Sequence, residues 1–176
     1  IAAANLWLFF YTPGFGVLDQ IGALFGLPSV NWLGQPETAL WAVIIVTIWK
    51  EAGFFMIFYL AALQTIPTDL KEAADIEGAS RWTYTTRIVL PLLMPTTLFI
   101  MVNALINSVK LIDHLFILTK GGPSDASKLI LYYIWEMAFA FFDAPHAAAM
   151  TILVIVVLGI VAAVQFFYLD KRTHYQ

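Results

Sequence analysis

Residues 72–91 read EAADIEGASRWTYTTRIVLP, a charged, helix-forming stretch that separates two of the most apolar segments of the chain. The segment before it, residues 39–63, measures about 37 Å as a helix at about 1.5 Å per residue. The segment after it covers residues 91–109, and a third apolar segment without any charge covers residues 147–169. A membrane span needs about 20 apolar residues. We therefore predict an all-α polytopic transmembrane bundle.

The composition supports a membrane protein and excludes several other classes. Hydrophobic residues make up 61% and charged residues 12% of the 176 residues, whereas about a quarter of the residues of a soluble protein are charged. Mean hydropathy is +0.81. The absence of cysteine excludes disulfides and thiolate metal sites. The net charge of −3 is scattered along the chain, which argues against a basic face for nucleic acid.

The remaining segments are predicted to be short or interfacial. Residues 1–11 are apolar but too short to cross a bilayer, so we expect them to be the end of a span that begins before residue 1. Glycine and proline mark residues 12–38 as a loop, with a short amphipathic helix around residues 18–25. Residues 110–146 are predicted to be a second loop with a helix in the membrane interface, and residues 170–176 a polar tail.

Lysine and arginine predict the orientation of the chain in the membrane. The loop 12–38 has none of them, and the loop 110–146 has Lys120 and Lys128, with Lys110 at its edge. The connector 64–90 and the tail contain more basic residues: Lys71, Arg81, Arg87, Lys171 and Arg172. An even number of spans separates these two segments, so they share one side. The positive-inside rule makes that side cytoplasmic and places the loops 12–38 and 110–146 outside.

The connector itself has the signals of two short helices. Asp69 and Glu72 have the spacing of a capping box, which predicts a helix that begins near Leu70. Gly78 can adopt positive φ and is expected to end this helix, and Ser80 is expected to cap a second one. The plain alternative is an ordinary amphipathic connector without a partner.

The connector also resembles a known motif, E-A-A, three residues, G, nine residues, I, one residue, L-P. The matching residues are Glu72, Ala73, Ala74, Gly78, Ile88, Leu90 and Pro91. This pattern is similar to the signature of permease subunits of bacterial and archaeal ATP-binding-cassette importers. The segment 63–67 (LQTIP) and the segment 118–123 (LTKGGP) resemble the carbohydrate-uptake branch, which carries maltose or glycerol-3-phosphate.

The resemblance implies a fold and a set of partners. The fold would be that of a type I importer permease in the inner membrane, with about two further spans and part of a third before residue 1. The chain would act with a second permease subunit, expected to differ from it in sequence, two ATPase subunits and an extracytoplasmic solute-binding protein. It would bind no cofactor and catalyse no reaction itself, because ATP and Mg²⁺ would lie on the ATPase subunits.

In such permeases the first short helix couples the membrane domain to the ATPase. The residues carried over to this role are Glu72, Ala73, Ala74, Asp75, Gly78, Ile88, Leu90 and Pro91. The small alanines would allow close packing against the ATPase, and Gly78 would set the angle between the two short helices.

Lys50 and Glu51 lie near the middle of the first apolar segment, where a charge costs about 2.5–3.5 kcal/mol. Either they pair with neighbouring helices or they line a translocation cavity. The nearby Phe54, Phe55 and Tyr59 are aromatic faces that can stack on sugar rings.

The segment 91–109 carries a polar stripe. Asn103, Asn107 and Lys110 recur at spacings of four and three residues, which places them on one helical face with Ser108 beside it. Such a stripe faces protein or water rather than lipid, as a cavity wall or as interhelical hydrogen bonds. Amide groups suit hydroxyl-rich ligands, whereas Lys50 or Lys110 would attract a phosphate.

No catalytic or metal-binding pattern is visible. The Gly121-Gly122-Pro123 stretch lacks the Gly-Lys-Ser/Thr of a phosphate-binding loop and is predicted to be a turn. His114, His146 and His174 are too far apart in the sequence to indicate a metal site. The alternative function is a secondary transporter or channel without an ATPase, but the internal repeat expected of many such transporters is not found.

Overall fold

The computed structural model describes residues 1–170, apart from the side chains of residues 166 and 168–170. The predicted tail with Lys171, Arg172 and His174 lies outside the described residues. The described part is helical and contains no strand. In chain order its α-helices are α1 (Ala2–Phe10), α2 (Val17–Leu24), α3 (Pro36–Gln64), α4 (Thr68–Ile76), α5 (Arg81–Tyr84), α6 (Leu90–Leu92), α7 (Met94–Val109), α8 (Asp113–Leu118), α9 (Ile130–Trp135) and α10 (Ala144–Asp170).

Three helical stretches of the described chain are long and apolar enough to cross a membrane. They are Pro36–Gln64, Met94–Leu118 and Ala144–Gln165. Large apolar side chains along α10, such as Ile152 and Leu153, are each 64% exposed. Apolar surface of this extent suits contact with lipid or with other membrane helices. The predicted all-α membrane fold is confirmed.

The second long stretch differs from the predicted segment 91–109. The chain first forms the short helix α6, breaks at Leu93, and starts α7 at Met94. Pro95 explains this break, because a proline has no N–H to donate to the carbonyl four residues earlier, and its ring clashes with that carbonyl. In the first turn of α7 the missing N–H does no harm.

The chain divides into two compact units. The first contains Ile1–Glu51 and Asn107–Val154, and the second contains Ala52–Ile106 together with the described residues from Ile155 to Asp170. Two segments between helices widen into π-helix, Thr85–Val89 in the second unit and Glu136–Ala140 in the first.

The first unit has a well-packed core. Its members are contributed by α1, α3, α8 and α9 and include Trp7, Tyr11, Ala42, Val43, Val46, Leu115, Leu118 and Tyr132. Tyr11 is 2% exposed and its hydroxyl donates a hydrogen bond of 2.9 Å to the carbonyl of Ala42. Phe116 packs edge-on against Trp135 with ring centroids 4.5 Å apart.

We expect Leu115→Ala to destabilise this core strongly. Leu115 is fully buried, and the cavity left by such a truncation costs about 2–5 kcal/mol. The melting temperature in detergent should therefore fall, while Leu153→Ala, at an exposed position of α10, should leave it nearly unchanged. Equal melting temperatures of the two variants would contradict this packing.

The second unit is held by contacts between the latter half of α3 and the first half of α7. Phe58 packs against Phe99 with ring centroids 5.4 Å apart. The hydroxyl of Tyr59 donates to the hydroxyl oxygen of Thr97 at 3.2 Å. This unit also contains α4, α5 and α6, which form the connector between the two long helices.

Candidate functional site

The connector between α3 and α7 begins with the helix α4, and its start differs from the sequence prediction. The N-cap is Pro67, without a side-chain cap, so Asp69 and Glu72 do not form the predicted capping box. Pro67 adopts an extended conformation with φ −60° and ψ 138°, which lets the helix start directly after it at Thr68. Asp69 then lies in the first turn, where its negative charge interacts favourably with the helix dipole.

Gly78 ends α4 in a left-handed conformation with φ +71°, as the sequence predicts. The N–H of Gly78 donates to the carbonyl of Asp75 at 3.1 Å, and the N–H of Ala79 donates to the carbonyl of Ala74 at 2.9 Å. These two bonds form a Schellman motif, which closes the carboxyl end of the helix. A Cβ at this position would meet no atom within 4 Å. The requirement for glycine here is therefore conformational rather than steric.

Ser80 caps the next helix, also as predicted. Its Oγ accepts a hydrogen bond of 3.1 Å from the N–H of Thr83. The helix then widens into the π-helix Thr85–Val89 and continues through Leu90 and Pro91 without a loop. Pro91 cannot donate to the carbonyl of Arg87, and a widened turn accommodates a residue that breaks the regular ladder.

The surface of α4 and α5 combines charge with exposed apolar side chains. Ile76 is 87% exposed and Trp82 is 77% exposed. Glu72, Ala73 and Asp75 are exposed, whereas Ala74 is only 6% exposed and packs against its own chain. Of the two motif alanines, only Ala73 is thus available to a partner. We call α4 and α5, joined at Gly78, the elbow.

A second group of interest lies in the first unit and is called the polar cluster: Lys50, Glu51, Asn107 and Asp113. Nδ2 of Asn107 donates to Oε2 of Glu51 at 3.0 Å, while Nζ of Lys50 lies 3.9 Å from Oε1 of the same carboxylate. Lys50 also lies 3.8 Å from Oδ2 of Asp113. Both oxygens of Glu51 are therefore engaged, and its side chain is only 17% exposed.

A buried histidine lies next to the polar cluster in sequence. His114 is 3% exposed and its Nε2 lies 2.8 Å from the hydroxyl oxygen of Thr47, which itself donates to the carbonyl of Val43. Because the Thr47 proton is used by Val43, Nε2 of His114 must be the donor. Asp113 and His114 lie in α8, which is separate from α7, so the helical spacing of the polar stripe does not point to them.

The other polar residues of the predicted stripe are not brought together. Asn103 donates to the carbonyl of Phe99, four residues earlier in its own helix, at 2.8 Å. Lys110 follows the last residue of α7 and is not on its helical face, which corrects the prediction. Ser108 is exposed and also has an interaction partner.

The predicted aromatic residues belong to the second unit. Phe55 is 8% exposed, so it is largely packed away within the chain. Phe54 is 50% exposed and contacts Phe55 and Phe58 edge-on, with ring centroids 5.4 Å and 5.2 Å apart. Tyr59 is partly buried and bonded to Thr97. Phe54 is thus the most accessible of the three predicted stacking faces.

The loop after α1 is organised by one carboxylate. Asp19, in the first turn of α2, accepts hydrogen bonds from the N–H of Gly14 at 2.6 Å, from the hydroxyl of Ser29, and from the N–H of Val30 at 3.3 Å. The bond from Gly14, followed by the bond from Ser29, lowers the pKa of Asp19 below its ordinary value of 3.8. The side chain of Asp19 thus connects the segment before α2 with the segment after it.

This lowered pKa predicts a pH dependence of the loop. The charged carboxylate stabilises the loop fully above the unfolded pKa, and this contribution is lost as the pH falls through the lower folded pKa. Asp19→Asn should therefore speed hydrogen–deuterium exchange in residues 12–30 at pH 7. The natural chain should approach that behaviour only in acid, after correction for intrinsic exchange. Glu37→Gln, in the first turn of α3, is the control and should leave the loop unchanged.

The turn after α8 is fixed by Lys128. Its Nζ lies 2.7 Å from Asp125 and 2.8 Å from Glu136, and the hydrogen bond to Asp125 is the main cause that raises the pKa of Lys128. Oγ of Ser127 lies 2.7 Å from the carbonyl oxygen of Gly122. The Gly-Gly-Pro stretch is therefore part of an ordered turn, as the sequence predicts.

Within residues 1–170, no group of three or more His, Cys, Asp or Glu residues is arranged to hold a metal ion. The exposed His146 pairs with Asp143, with Nδ1 of the histidine 2.7 Å from Oδ2.

Comparison with known proteins gives consistent results. Residues 3–175 match the family described as "Binding-protein-dependent transport system inner membrane component". The chain is 34% identical to the sn-glycerol-3-phosphate transport system permease protein of Yersinia pestis, over 99% of this chain and 59% of the relative. It is 38% identical to the trehalose/maltose transport system permease protein of Thermococcus litoralis, over 74% of this chain and 44% of the relative.

A solved structure has the same fold. A chain in the crystal structure of a bacterial alginate ABC transporter, in complex with a periplasmic protein bound to an alginate pentasaccharide, superposes with a TM-score of 0.87. The two chains are 31% identical, and the match covers 98% of this chain and 60% of the other. The present chain thus spans between about two fifths and three fifths of the length of these relatives.

Proposed function

This chain belongs to the family of binding-protein-dependent transport system inner membrane components, and from that premise we propose that it is a permease subunit of an ATP-driven importer. It would form half of the translocation pathway for a sugar or a glycerol-3-phosphate-like solute. The relatives named above include permeases for trehalose/maltose and for sn-glycerol-3-phosphate. Family membership favours this function over a secondary transporter or channel that works without an ATPase.

The observation that carries the proposal is the elbow. It consists of two short helices joined through a residue with positive φ, and it has both exposed apolar and exposed acidic side chains. An exposed tryptophan such as Trp82 is a typical anchor of a protein interface, and the exposed Ile76 adds apolar surface to the elbow. A continuous helical path from Arg81 through Leu92 leads from this interface to the break at Leu93, directly before α7.

The partners follow from this assignment as part of the proposal. ATP and Mg²⁺ bind to two separate ATPase subunits, one of which contacts the elbow of this chain through Glu72, Ala73 and Asp75. A second permease subunit completes the pathway, and an extracytoplasmic binding protein delivers the solute. The structure of the alginate transporter with its periplasmic protein supports such an arrangement in a relative.

The mechanism converts closure of the ATPase pair into movement of helices. The contact with the ATPase moves the elbow, in which Gly78 fixes the angle between the two helices. The segment containing Ile88, Leu90 and Pro91 then transmits this displacement to α7. The permease pair then rocks from an inward-facing to an outward-facing state. With the orientation predicted from the sequence, the elbow lies in the cytoplasm of a bacterial or archaeal cell. The loop 12–38 and the part of the loop 110–146 after Leu118 would face the binding protein, because residues 110–118 belong to the second long helical stretch.

The solute pathway is proposed to include the polar cluster. Lys50, Glu51 and Asn107 offer hydrogen-bonding groups in a helix region that is otherwise apolar. Asn103, Ser108 and the exposed face of Phe54 are further candidates, followed by Tyr59 and Phe55, which are less accessible.

A reconstitution experiment tests the proposed function. The full-length permease should co-purify with an ATPase subunit in a fixed ratio and should support solute uptake into proteoliposomes only with ATP and the binding protein. A permease that purifies alone and transports without ATP would favour the secondary carrier.

A further inference from the structure

The polar cluster contains one more carboxylate than cation. Lys50 contributes one positive charge, and Glu51 and Asp113 each contribute one negative charge, so the formal charge of the cluster is −1. The ammonium group of Lys50 lies 3.9 Å from one carboxylate and 3.8 Å from the other. Its charge is thus already balanced from two directions by groups of the same chain.

We propose that the polar cluster makes the pathway selective for uncharged, hydroxyl-rich solutes and against phosphate esters. This inference rests on the proposed importer function and narrows the class of solute. It also reverses one expectation from the sequence, in which Lys50 attracts a phosphate. That expectation did not take into account that the carboxylates of Glu51 and Asp113 both lie close to the ammonium group of Lys50.

The hydrogen-bonding chemistry of the cluster supports this choice. Carboxylates only accept hydrogen bonds, and a phosphate ester dianion also only accepts them, so the two repel each other by charge and have no proton to share. A sugar hydroxyl both donates and accepts, and its bond to a carboxylate is of the strong, charge-assisted kind. The side chain of Asp113 is 57% exposed and is therefore accessible to such a hydroxyl.

The anchoring of the cluster keeps these acceptors in place. Glu51 is bonded to Asn107 through one oxygen and faces Lys50 with the other. One N–H of Asn107 is used in this bond, so its amide group keeps one donor and its acceptor oxygen, a combination that suits a sugar hydroxyl. The side chain of Glu51 is only 17% exposed, so charge repulsion at this carboxylate is screened less than it is in water.

No other cation of the first unit compensates the excess negative charge by direct contact. Within residues 1–170, Lys50 is the only basic side chain that forms an ion pair with Glu51 or Asp113. Lys128 is paired with Asp125 and Glu136 instead.

Solute binding to the permease itself tests the inference. The full-length permease is assembled with its second permease and ATPase subunits in nanodiscs, without the binding protein, so that the selectivity of the binding protein does not contribute. Equilibrium dialysis then compares uncharged probes (glycerol, maltose and trehalose) with anionic probes (sn-glycerol-3-phosphate and glucose 6-phosphate). We expect at least one uncharged probe to bind at least about tenfold more tightly than either phosphate ester. A tenfold difference in affinity corresponds to about 1.4 kcal/mol, which is the size expected for one unfavourable charge contact.

Neutral variants show whether the cluster causes this preference. Glu51→Gln/Asp113→Asn should bring the affinities for the two classes closer by about tenfold, and Glu37→Gln, which removes an exposed carboxylate outside the cluster, should not. Asp113→Asn alone is the alternative if the double variant does not assemble, because Asp113 is exposed and does not bond to Asn107. A smaller shift in the same direction is expected for it.

Three results would overturn the inference: a phosphate ester that binds as tightly as the uncharged probes, a preference that the neutral variants leave unchanged, or binding of no probe. None of them contradicts the importer function if uptake into proteoliposomes depends on ATP and the binding protein. Loss of that dependence would instead contradict the proposed function.

Discussion

A Gly78→Val variant of the importer is expected to hydrolyse ATP while its solute uptake falls by about tenfold or more. Gly78 has φ +71°, and a residue with a Cβ loses roughly 1–2 kcal/mol in this conformation, with β-branched residues among the least tolerant. The strain is relieved when the backbone leaves the left-handed region. That change breaks the Schellman motif and alters the angle between α4 and α5. Movement of the ATPase is then no longer transmitted to α7.

The chain offers a closely matched control for this prediction. Gly26 has φ +70°, and a Cβ there would also meet no atom within 4 Å. It ends α2 in the same motif, since the N–H of Gly26 donates to the carbonyl of Ala23 and the N–H of Leu27 donates to the carbonyl of Gly22. Gly26→Val should carry a similar strain but retain coupling. ATPase activity and uptake, measured together in proteoliposomes, distinguish the two variants, and normal uptake by Gly78→Val would remove the elbow from the mechanism.

The second large effect is expected for Asn107→Leu. This substitution removes the amide that donates to Oε2 of Glu51 at 3.0 Å. A hydrogen bond to a charged group contributes about 1.5–3 kcal/mol, and the carboxylate is left partly buried without that donor. We expect a lower melting temperature in detergent and a loss of uptake of about tenfold or more.

A double variant separates the structural role of Asn107 from its role in transport. Glu51→Leu/Asn107→Leu removes both partners of the bond, and replacing both by apolar groups is far less costly than leaving one unpaired. Stability should therefore recover relative to Asn107→Leu, while uptake should remain low because the pathway has lost its polar groups. If uptake recovers together with stability, Asn107 has a structural role only.

Much of the fold could be predicted because its signals are local. Three apolar segments of sufficient length predict membrane helices regardless of their neighbours. The left-handed conformation of Gly78 and the cap by Ser80 were predicted because glycine and serine act on backbone groups only a few residues away. The capping box was wrong because Pro67 competes with Asp69 to start the helix, and the fixed φ of a proline prevails over a side-chain hydrogen bond.

The polar cluster could be predicted only in part, because its contacts join residues far apart in the sequence. Lys50 and Glu51 stand out as charges within an apolar segment, but Asn107 and Asp113 lie more than 50 residues later, and only the fold brings them together. Lys110 shares the spacing of Asn103 and Asn107 yet follows the end of α7. Periodicity does not show where a helix stops unless a capping or breaking residue marks the end.

Crosslinking from the elbow tests the central claim most directly. Residues 1–176 contain no cysteine, so a single cysteine can be introduced here once any cysteines in the rest of the full-length permease and in its partner subunits have been replaced. Ile76→Cys, at a position that is 87% exposed, can carry a maleimide-benzophenone probe, and Phe25→Cys, at a position that is 77% exposed in the loop 12–38, is the control. We predict that light links Ile76→Cys, but not Phe25→Cys, to the ATPase subunit, with a yield that changes when ATP is hydrolysed. If cysteines along the elbow trap no ATPase subunit during turnover, the account is contradicted.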